Sequence, residues 1–192
     1  MNEISKMISK HIALTAKEAD VIAECIPIKS FKKGSFLVKE GQIPNESYFV
    51  IKGCVRKFYL VEGEEKTTDF YTEEASISSM QSYLKKTPVN HYFECIEDCK
   101  LAVLTYEKEH ELYERVPGFE SLCRISLEVD LAEQQEALAT FIMSSPEQRY
   151  INLLQNKPEL LQRVPQYHLA SFLGIKPESL SRIRKRIAKK TK

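Results

Sequence analysis

The sequence predicts an α+β chain in three parts: an N-terminal antiparallel β-roll of the jelly-roll type, a long helix, and a C-terminal helix-turn-helix of the winged-helix type with a reduced wing. Three observations predict this fold class. Short runs rich in Val, Phe, Tyr and Thr alternate with turn signals between residues 31 and 105. A run without Gly or Pro follows Pro117-Gly118, and Lys and Arg are concentrated near the C-terminus. The predicted domains are residues 1–117, 118–144 and 145–192.

Size and composition are those of a globular protein. The 192 residues are 43% hydrophobic and 29% charged, which allows one or two cores of ordinary size. No run of 18 apolar residues occurs, and the opening "MNEISKMISK" lacks an apolar segment, so we expect no membrane span, no signal peptide, no membrane partner and a cytoplasmic location. The five cysteines are scattered and odd in number, which favours free thiols over a disulfide framework.

The charge of the chain is divided unevenly. Residues 145–192 contain 11 basic and 3 acidic residues, a net charge of +8, whereas residues 1–144 contain 17 basic and 24 acidic residues, a net charge of −7. Such an asymmetry suggests that only the C-terminal part meets a polyanion.

The N-terminal part reads as a helix followed by strands. "AKEADVIAECI" has the pattern of a short amphipathic helix. The runs "YFVIKG", "CVRKFYLV", "KTTDFY" and "HYFECI" are separated by turn signals such as "KKG" and "EGEE", which predicts a sandwich or barrel of about eight strands.

The long helix carries two apolar stripes, and two stripes need two partners. We expect one stripe to pack on the β-roll and the other on a second copy of the helix, which gives a symmetric homodimer. The alternative is that both stripes pack within one chain. The first stripe, which we predict to be the dimer interface, consists of Leu122, Ile125, Val129, Ala132, Ala139 and Met143. The second consists of Leu127, Leu131, Leu138 and Ile142.

The C-terminal segment "HLASFLGIKPESLSRIRKRI" has the pattern of a helix-turn-helix. Leu169 and Leu173 share one helical face, and Gly174 lies at the turn. The second helix has Pro177 in its first turn, and its inward positions are Leu180, Ile183 and Ile187. A Ser-Pro-Glu cap at residues 145–147 begins the module.

These inward positions leave a polar face that suits double-stranded DNA. An Arg side chain can donate two hydrogen bonds to guanine, and a Glu can accept one from cytosine, when the second helix enters the major groove. The candidate base-reading residues are Glu178, Ser179, Ser181 and Arg182. The candidate phosphate contacts are Gln166, His168, Lys176, Arg184, Lys185, Arg186, Lys189 and Lys190. A surface helical hairpin with a basic tail is the alternative.

Over essentially its whole length the sequence resembles the Crp/Fnr superfamily of transcription regulators. "KKGSFLVKEGQIPNESYFVIKGCVRKFYL" is similar to the opening of that family's cyclic-nucleotide-type β-roll, and "LASFLGIKPESLSRIRKRI" is similar to its DNA-reading segment. Glu178, Ser181 and Arg182 match the family's Glu-x-x-Ser-Arg form. The resemblance implies a sensor β-roll, a dimerisation helix, a palindromic operator with a TGA-like core in each half-site, and RNA polymerase as a further partner.

The chain departs from the family in the region that would hold a cyclic phosphate. No glycine occurs between Gly63 and Gly118, and Val89-Asn90 stand where the family has arginine and a hydroxyl residue. We therefore expect no binding of cyclic nucleotides. Polar residues of this region could bind an unidentified small effector or could line a vestigial pocket. They are Ser76, Ser78, Ser79, Ser82, Asn90 and Tyr92.

No residue pattern indicates catalysis, a metal or a cofactor. Cys95 and Cys99 have no further ligands at metal-site spacing, Cys25 is alone in the N-terminal segment, and His91 is a single histidine on a predicted strand. We expect a DNA-binding regulator and no enzyme. The alternative is a ligand-binding signalling module whose basic helix binds a protein or a membrane, and binding to duplex DNA discriminates between the two.

Overall fold

The computed structural model describes residues 2–190, with side chains for residues 2–189. The helices are α1 (Glu3–Ile8), α2 (Ala16–Cys25), α3 (Met80–Lys85), α4 (Tyr106–Arg115), α5 (Phe119–Met143), α6 (Pro146–Asn156), α7 (Leu160–Arg163), α8 (Gln166–Phe172) and α9 (Pro177–Lys190). The strands are β1 (Ile28–Phe31), β2 (Phe36–Val38), β3 (Glu46–Lys52), β4 (Val55–Val61), β5 (Glu64–Tyr71), β6 (Ser76–Ile77), β7 (Tyr92–Cys95) and β8 (Cys99–Thr105).

The strands form two four-stranded antiparallel sheets, with the orders β1-β8-β3-β6 and β2-β7-β4-β5. Their facing sides enclose an apolar core that includes Val50, Val55, Phe93 and Leu101. The α+β fold class with its antiparallel β-roll is confirmed. Residues 145–190 contain no strand, so the described part of the C-terminal module has no wing.

Helices α1, α2 and α4 pack on the outer face of the β1-β8-β3-β6 sheet, where their apolar side chains meet Ile28, Phe49 and Ala102. Thr15 and Glu18 form a reciprocal capping box that begins α2, as the amphipathic pattern predicts. Helices α1, α3, α4 and α7 were not predicted. Helices α1, α3 and α7 have only four to six residues, and α4 buries only Leu112 along its ten residues, so it shows no apolar stripe. Helix α5 runs for 25 residues within two residues of the predicted limits 118–144. The division into three domains stays a prediction.

The C-terminal helices pack on the outer face of the β2-β7-β4-β5 sheet. Cys54, Phe70 and Ile96 of the roll belong to the same apolar cluster as Leu169 and Leu180 of the helix-turn-helix. The rings of Phe70 and Phe172 meet edge to face with centroids 5.3 Å apart. The two parts therefore share a core.

A buried arginine lies in the centre of this contact. Arg56 on β4 is only 1% exposed. Its Nη2 lies 2.6 Å from Oε2 of Glu94, and its Nη1 lies 2.7 Å from Oε2 of Glu65 and 2.5 Å from Nδ1 of His168. The guanidinium also stacks over the Phe58 ring at 4.1 Å. Because a guanidinium only donates, Nδ1 of His168 accepts, and this imidazole is neutral.

Further polar contacts flank the arginine. The Ser171 hydroxyl donates to the carbonyl oxygen of Glu65 and accepts from the backbone N–H of Thr67, both at 2.9 Å. Arg163 makes two hydrogen bonds to Glu73, of 2.8 and 2.9 Å, and also pairs with Glu97. These bonds fix the orientation of α8 on the sheet.

The prediction that His168 contacts a DNA phosphate is wrong. Its side chain is buried and faces Arg56 rather than solvent. Burial, with the nearby charge of Arg56, lowers the pKa of His168 to about 4. Its position in a basic segment suggested an exposed cation, whereas the fold uses it as a neutral acceptor.

We expect the free energy of unfolding to fall as the pH drops from 6.5 toward 4. Over this range the unfolded chain protonates His168, whose ordinary pKa is 6.5, while the folded chain does not. Above pH 6.5 the His168 imidazole is neutral in both the folded and the unfolded chain, so it adds nothing to the pH dependence of the free energy of unfolding there. The substitution His168→Gln keeps an acceptor for Arg56 without a titrating group, and it should remove up to about 3 kcal/mol of the loss. Urea unfolding at a series of pH values measures this.

The exposed His11 provides the control, because His11→Gln removes a histidine that touches no part of this interface. An acid slope in His168→Gln equal to that of the wild type would contradict the neutral, accepting imidazole.

Candidate nucleic-acid interface

The helix-turn-helix is built as its apolar spacing predicts. Leu169, Leu173 and Leu180 are buried between α8 and α9. Gly174 takes a positive φ of 69°, which a residue with a side chain rarely adopts. The backbone N–H of Ile175 then donates to the carbonyl oxygen of Ala170 at 3.0 Å and closes the turn.

Arg149 on α6, which sequence analysis missed, joins this turn to the end of α5. Its Nη1 donates to the carbonyl oxygen of Leu173 at 2.9 Å, and its guanidinium stacks over the Phe141 ring at 3.7 Å. A Cβ added at Gly174 would lie 3.1 Å from the same Nη1. The glycine is thus required by both its backbone conformation and its close neighbour.

The four candidate base-reading residues lie together on the first two turns of α9. Glu178 and Arg182 are exposed, and Ser179 and Ser181 are half-buried beside them. The Nη2 atom of Arg182 donates to the Ser179 hydroxyl at 3.3 Å. One face of α9 thus presents several hydrogen-bond donors and one carboxylate acceptor.

Gln166 lies next to this face at the start of α8. Its Nε2 donates to Oγ of Ser181 at 2.9 Å, so its amide nitrogen is engaged within the protein. The prediction that Gln166 contacts a phosphate remains untested.

Most of the candidate phosphate contacts are exposed cations around the same face. Lys176, Arg184, Lys185 and Lys189 extend into solvent. Arg186 is also exposed but forms an ion pair with Glu147 of α6. The side chain of Lys190 lies outside the described residues.

The two apolar stripes of α5 have different surroundings. In the first stripe Ile125, Val129, Ala132 and Met143 are exposed in the single chain, while Leu122 packs on the apolar cluster beneath α4 and Ala139 is half-buried. Val129, for example, is 51% exposed. In the second stripe Leu127 and Leu131 face the β-roll across a cavity. Leu127 and Leu131 are nevertheless 48% and 58% exposed, and Leu138 and Ile142 of the same stripe are 62% and 72% exposed. The second stripe therefore borders the roll only at the cavity, and neither stripe is covered within the chain.

The cavity between α5 and the β-roll has a volume of about 590 Å³. Five of the six predicted pocket residues line it. They are Ser76, Ser78, Ser79, Ser82 and Asn90. The hydroxyl of Ser82 donates to the carbonyl oxygen of Thr87 at 2.6 Å, so its proton is already used.

The placement of Tyr92 in this pocket is wrong. Side chains alternate between the faces of a strand, and Tyr92 points to the outer face of β7, where its ring stacks on Phe58 at 4.8 Å. Its hydroxyl donates to Glu40 at 3.2 Å. The neighbouring His91 points inward instead.

His91, Lys57, Tyr59 and Asp130 also line the cavity and were not selected from the sequence. The Nε2 atom of His91 lies 2.9 Å from the Ser79 hydroxyl. Burial, with a smaller effect of Lys57, lowers the pKa of His91 to about 4, so the imidazole is neutral at pH 7. The alternation of β4 would have assigned Lys57 and Tyr59 once the strand register was known.

The charges of the cavity do not favour a phosphate. Lys57 is the one Lys or Arg among the described residues that line it, and Asp130 is also present. Helix α3 lines the cavity through Met80, Gln81 and Ser82, and the buried Val89 lies beside it. The cavity is suited to polar, weakly charged molecules.

The described residues hold no candidate membrane span or metal site. None of the helices in residues 2–190 has the length and apolarity of a membrane span, and His, Cys, Asp and Glu form no group of three that could hold a metal there. The five cysteines are free thiols.

Comparison with known proteins bears on this fold. The family model of the cyclic nucleotide-binding domain matches residues 28–116. The comparison with curated proteins gave no significant match.

Solved structures match over nearly the whole chain. The c-di-GMP responsive global regulator CLP of Xanthomonas campestris aligns with a TM-score of 0.68 at 16% identity, covering 92% of this chain and 93% of that one. FixK2 of Bradyrhizobium japonicum gives 0.69 at 15% identity and 86% of both chains. A mutant of CooA from Carboxydothermus hydrogenoformans gives 0.69 at 13% identity, covering 95% and 83%.

These likenesses show the fold, and at that level they agree with the resemblance that the two sequence segments indicated. Residues 28–116 match the family model of the cyclic nucleotide-binding domain, and the chain as a whole has the fold of CLP and FixK2.

Proposed function

We propose that the protein is a sequence-specific, DNA-binding transcription regulator that acts as a homodimer on a palindromic operator. The observation that carries this proposal is the exposed face of α9, where Glu178, Ser181 and Arg182 lie at the start of a helix-turn-helix second helix and exposed cations surround them. A second helix of this kind enters the major groove with its N-terminal residues on the base edges.

Different side chains of that face suit the recognition of bases and the contact with phosphates. Arg182 can donate two hydrogen bonds to O6 and N7 of one guanine, and Glu178 can accept from N4 of cytosine. Lys176, Lys185 and Lys189 supply mobile positive charge at the rim, which suits phosphates and carries no sequence information.

The proposed dimer rests on the first apolar stripe of α5, which is largely exposed in the single chain. Two chains related by a two-fold axis along this stripe would set their recognition helices ~34 Å apart, one turn of B-DNA. The exposed Ile125, Val129 and Met143 would then be buried against their own copies.

The cavity beside α5 provides a place for an effector. A ligand that binds one dimer geometry better than another would change the spacing of the two recognition helices. Because Lys57 is accompanied by Asp130 and the phosphate cassette is missing, we propose a polar effector other than a cyclic nucleotide.

Base reading is tested by Arg182→Ala, with Arg184→Ala as the matched variant. Without its bidentate guanine bond, each half-site should bind more weakly by ~1–3 kcal/mol, or about 30-fold to 10⁴-fold for two additive half-sites. The affinity should fall for the selected operator and stay unchanged for scrambled DNA. Arg184→Ala, and likewise Lys189→Ala, should weaken binding to every duplex and lower the salt slope by ~0.9 for each phosphate that is no longer neutralised.

Gel shifts over a range of salt concentrations measure both properties, with the operator obtained by selection from random duplexes. Equal losses in Arg182→Ala and Arg184→Ala on operator and scrambled DNA would mean that α9 is a basic patch. Indifference of the wild type to duplex DNA would favour a module that binds a protein or a membrane.

The dimer is tested by Val129→Arg. Two like charges would face each other across the two-fold axis, and burying them unpaired costs several kcal/mol. Light scattering at micromolar concentration should report a monomer. Ala137→Arg adds the same charge at an exposed position outside both stripes and should leave a dimer; a dimer in both variants would remove Val129 from the interface.

The exclusion of cyclic nucleotides is tested by calorimetry. Titration with cyclic AMP and cyclic GMP to millimolar concentration should give no saturable heat, because the cavity lacks an arginine and a glycine-rich cassette. A micromolar isotherm with either nucleotide would refute this assignment.

A further inference from the structure

The first residue of α8 touches the reading face of α9. Gln166 and Ser181 are 15 residues apart, and Nε2 of Gln166 lies 2.9 Å from Oγ of Ser181. Both side chains are half-buried, so water competes only partly for this bond. From this contact we infer that Gln166 is a positioning residue: it determines whether the Ser181 hydroxyl donates a hydrogen bond to a base edge or accepts one from it. The inference rests on the proposed function.

The orientation of the Gln166 amide is set by its second neighbour. The carbonyl oxygen of Pro177 lies 3.5 Å from the same Nε2. A carbonyl oxygen can only accept, so an amide oxygen placed there would face another acceptor at 3.5 Å, whereas the amide nitrogen can donate to it. The nitrogen is therefore the atom that faces α9.

This orientation determines the polarity of the Ser181 hydroxyl. A hydroxyl has one proton and two lone pairs. Because Nε2 of Gln166 only donates, Oγ of Ser181 must accept from it. Among the described residues, no group accepts the hydroxyl proton of Ser181. That proton is left for a group outside the protein.

The consequence is a preference for acceptors in the major groove. A free serine can donate or accept and so tolerates any base. With one lone pair occupied by Gln166, Ser181 favours N7 of a purine, O6 of guanine or O4 of thymine. Its second lone pair can still accept from an amino group, but accepting from Gln166 polarises the hydroxyl and strengthens it as a donor, so N4 of cytosine and N6 of adenine are disfavoured.

Gln166 is able to impose this polarity because α8 is itself fixed. Two residues beyond it, His168 accepts from Arg56, and Ser171 bonds to the backbone of β5 at two atoms. The start of α8 therefore holds its place while α9 contacts DNA.

The decisive variant is Gln166→Glu. A carboxylate accepts, so it would take the Ser181 proton and reverse the polarity of the hydroxyl. With the operator selected by the wild type, replacement of the base opposite Ser181 by one presenting an amino group should cost the wild type about 3-fold to 10-fold per half-site, the range of one hydrogen bond. The same base replacement should lower the affinity of the Gln166→Glu variant only slightly. Gln162→Glu, an exposed position on α7, adds the same charge and should keep the wild-type preference.

A double-mutant cycle gives a second readout. Gln166→Ala and Ser181→Ala should be non-additive in operator affinity, and Gln166→Ala should leave the salt slope unchanged, with thermal unfolding confirming that each variant folds. Additive losses, a salt slope lowered by ~0.9 per half-site, or an unaltered base preference in Gln166→Glu would overturn the role of Gln166 while the regulator stands. A wild type that selects no duplex would overturn the proposed function and this inference together.

Discussion

One buried positive charge holds the two parts of the chain in register. Arg56 is nearly inaccessible, and its partners come from β5, β7 and α8. If α8 left the sheet, the chain would lose together the hydrogen bond between Arg56 and His168, the two bonds of Ser171 to β5, and the apolar contacts around Phe70. These contacts set the orientation of α8 on the sheet, and α9 follows α8 directly through the turn at Gly174.

The same strand connects the docking face to the cavity. On β4, Arg56 and Phe58 point outward to α8, whereas Lys57 and Tyr59 point inward to the cavity. The residues of this strand that line the cavity therefore alternate with the residues that hold α8.

Sequence periodicity was sufficient where structure is local. The helix-turn-helix followed from apolar spacing and one glycine, and α5 followed from the lack of Gly and Pro over its length. Periodicity did not predict contacts between residues that are far apart in the sequence. His168 meets an arginine 112 residues distant, which no local pattern reports. Tyr92 was assigned to the wrong face because the alternation of a strand is fixed only once its register is known.

The two-faced β4 also constrains how this protein can evolve. A single-residue insertion in the strand would turn Lys57 and Tyr59 toward α8 and send the docking residues into the cavity. Substitutions on the inward positions, by contrast, leave the outward set untouched. Descendants of this chain can therefore change the lining of the cavity while they keep the contact with α8, provided that the length of this short strand stays the same.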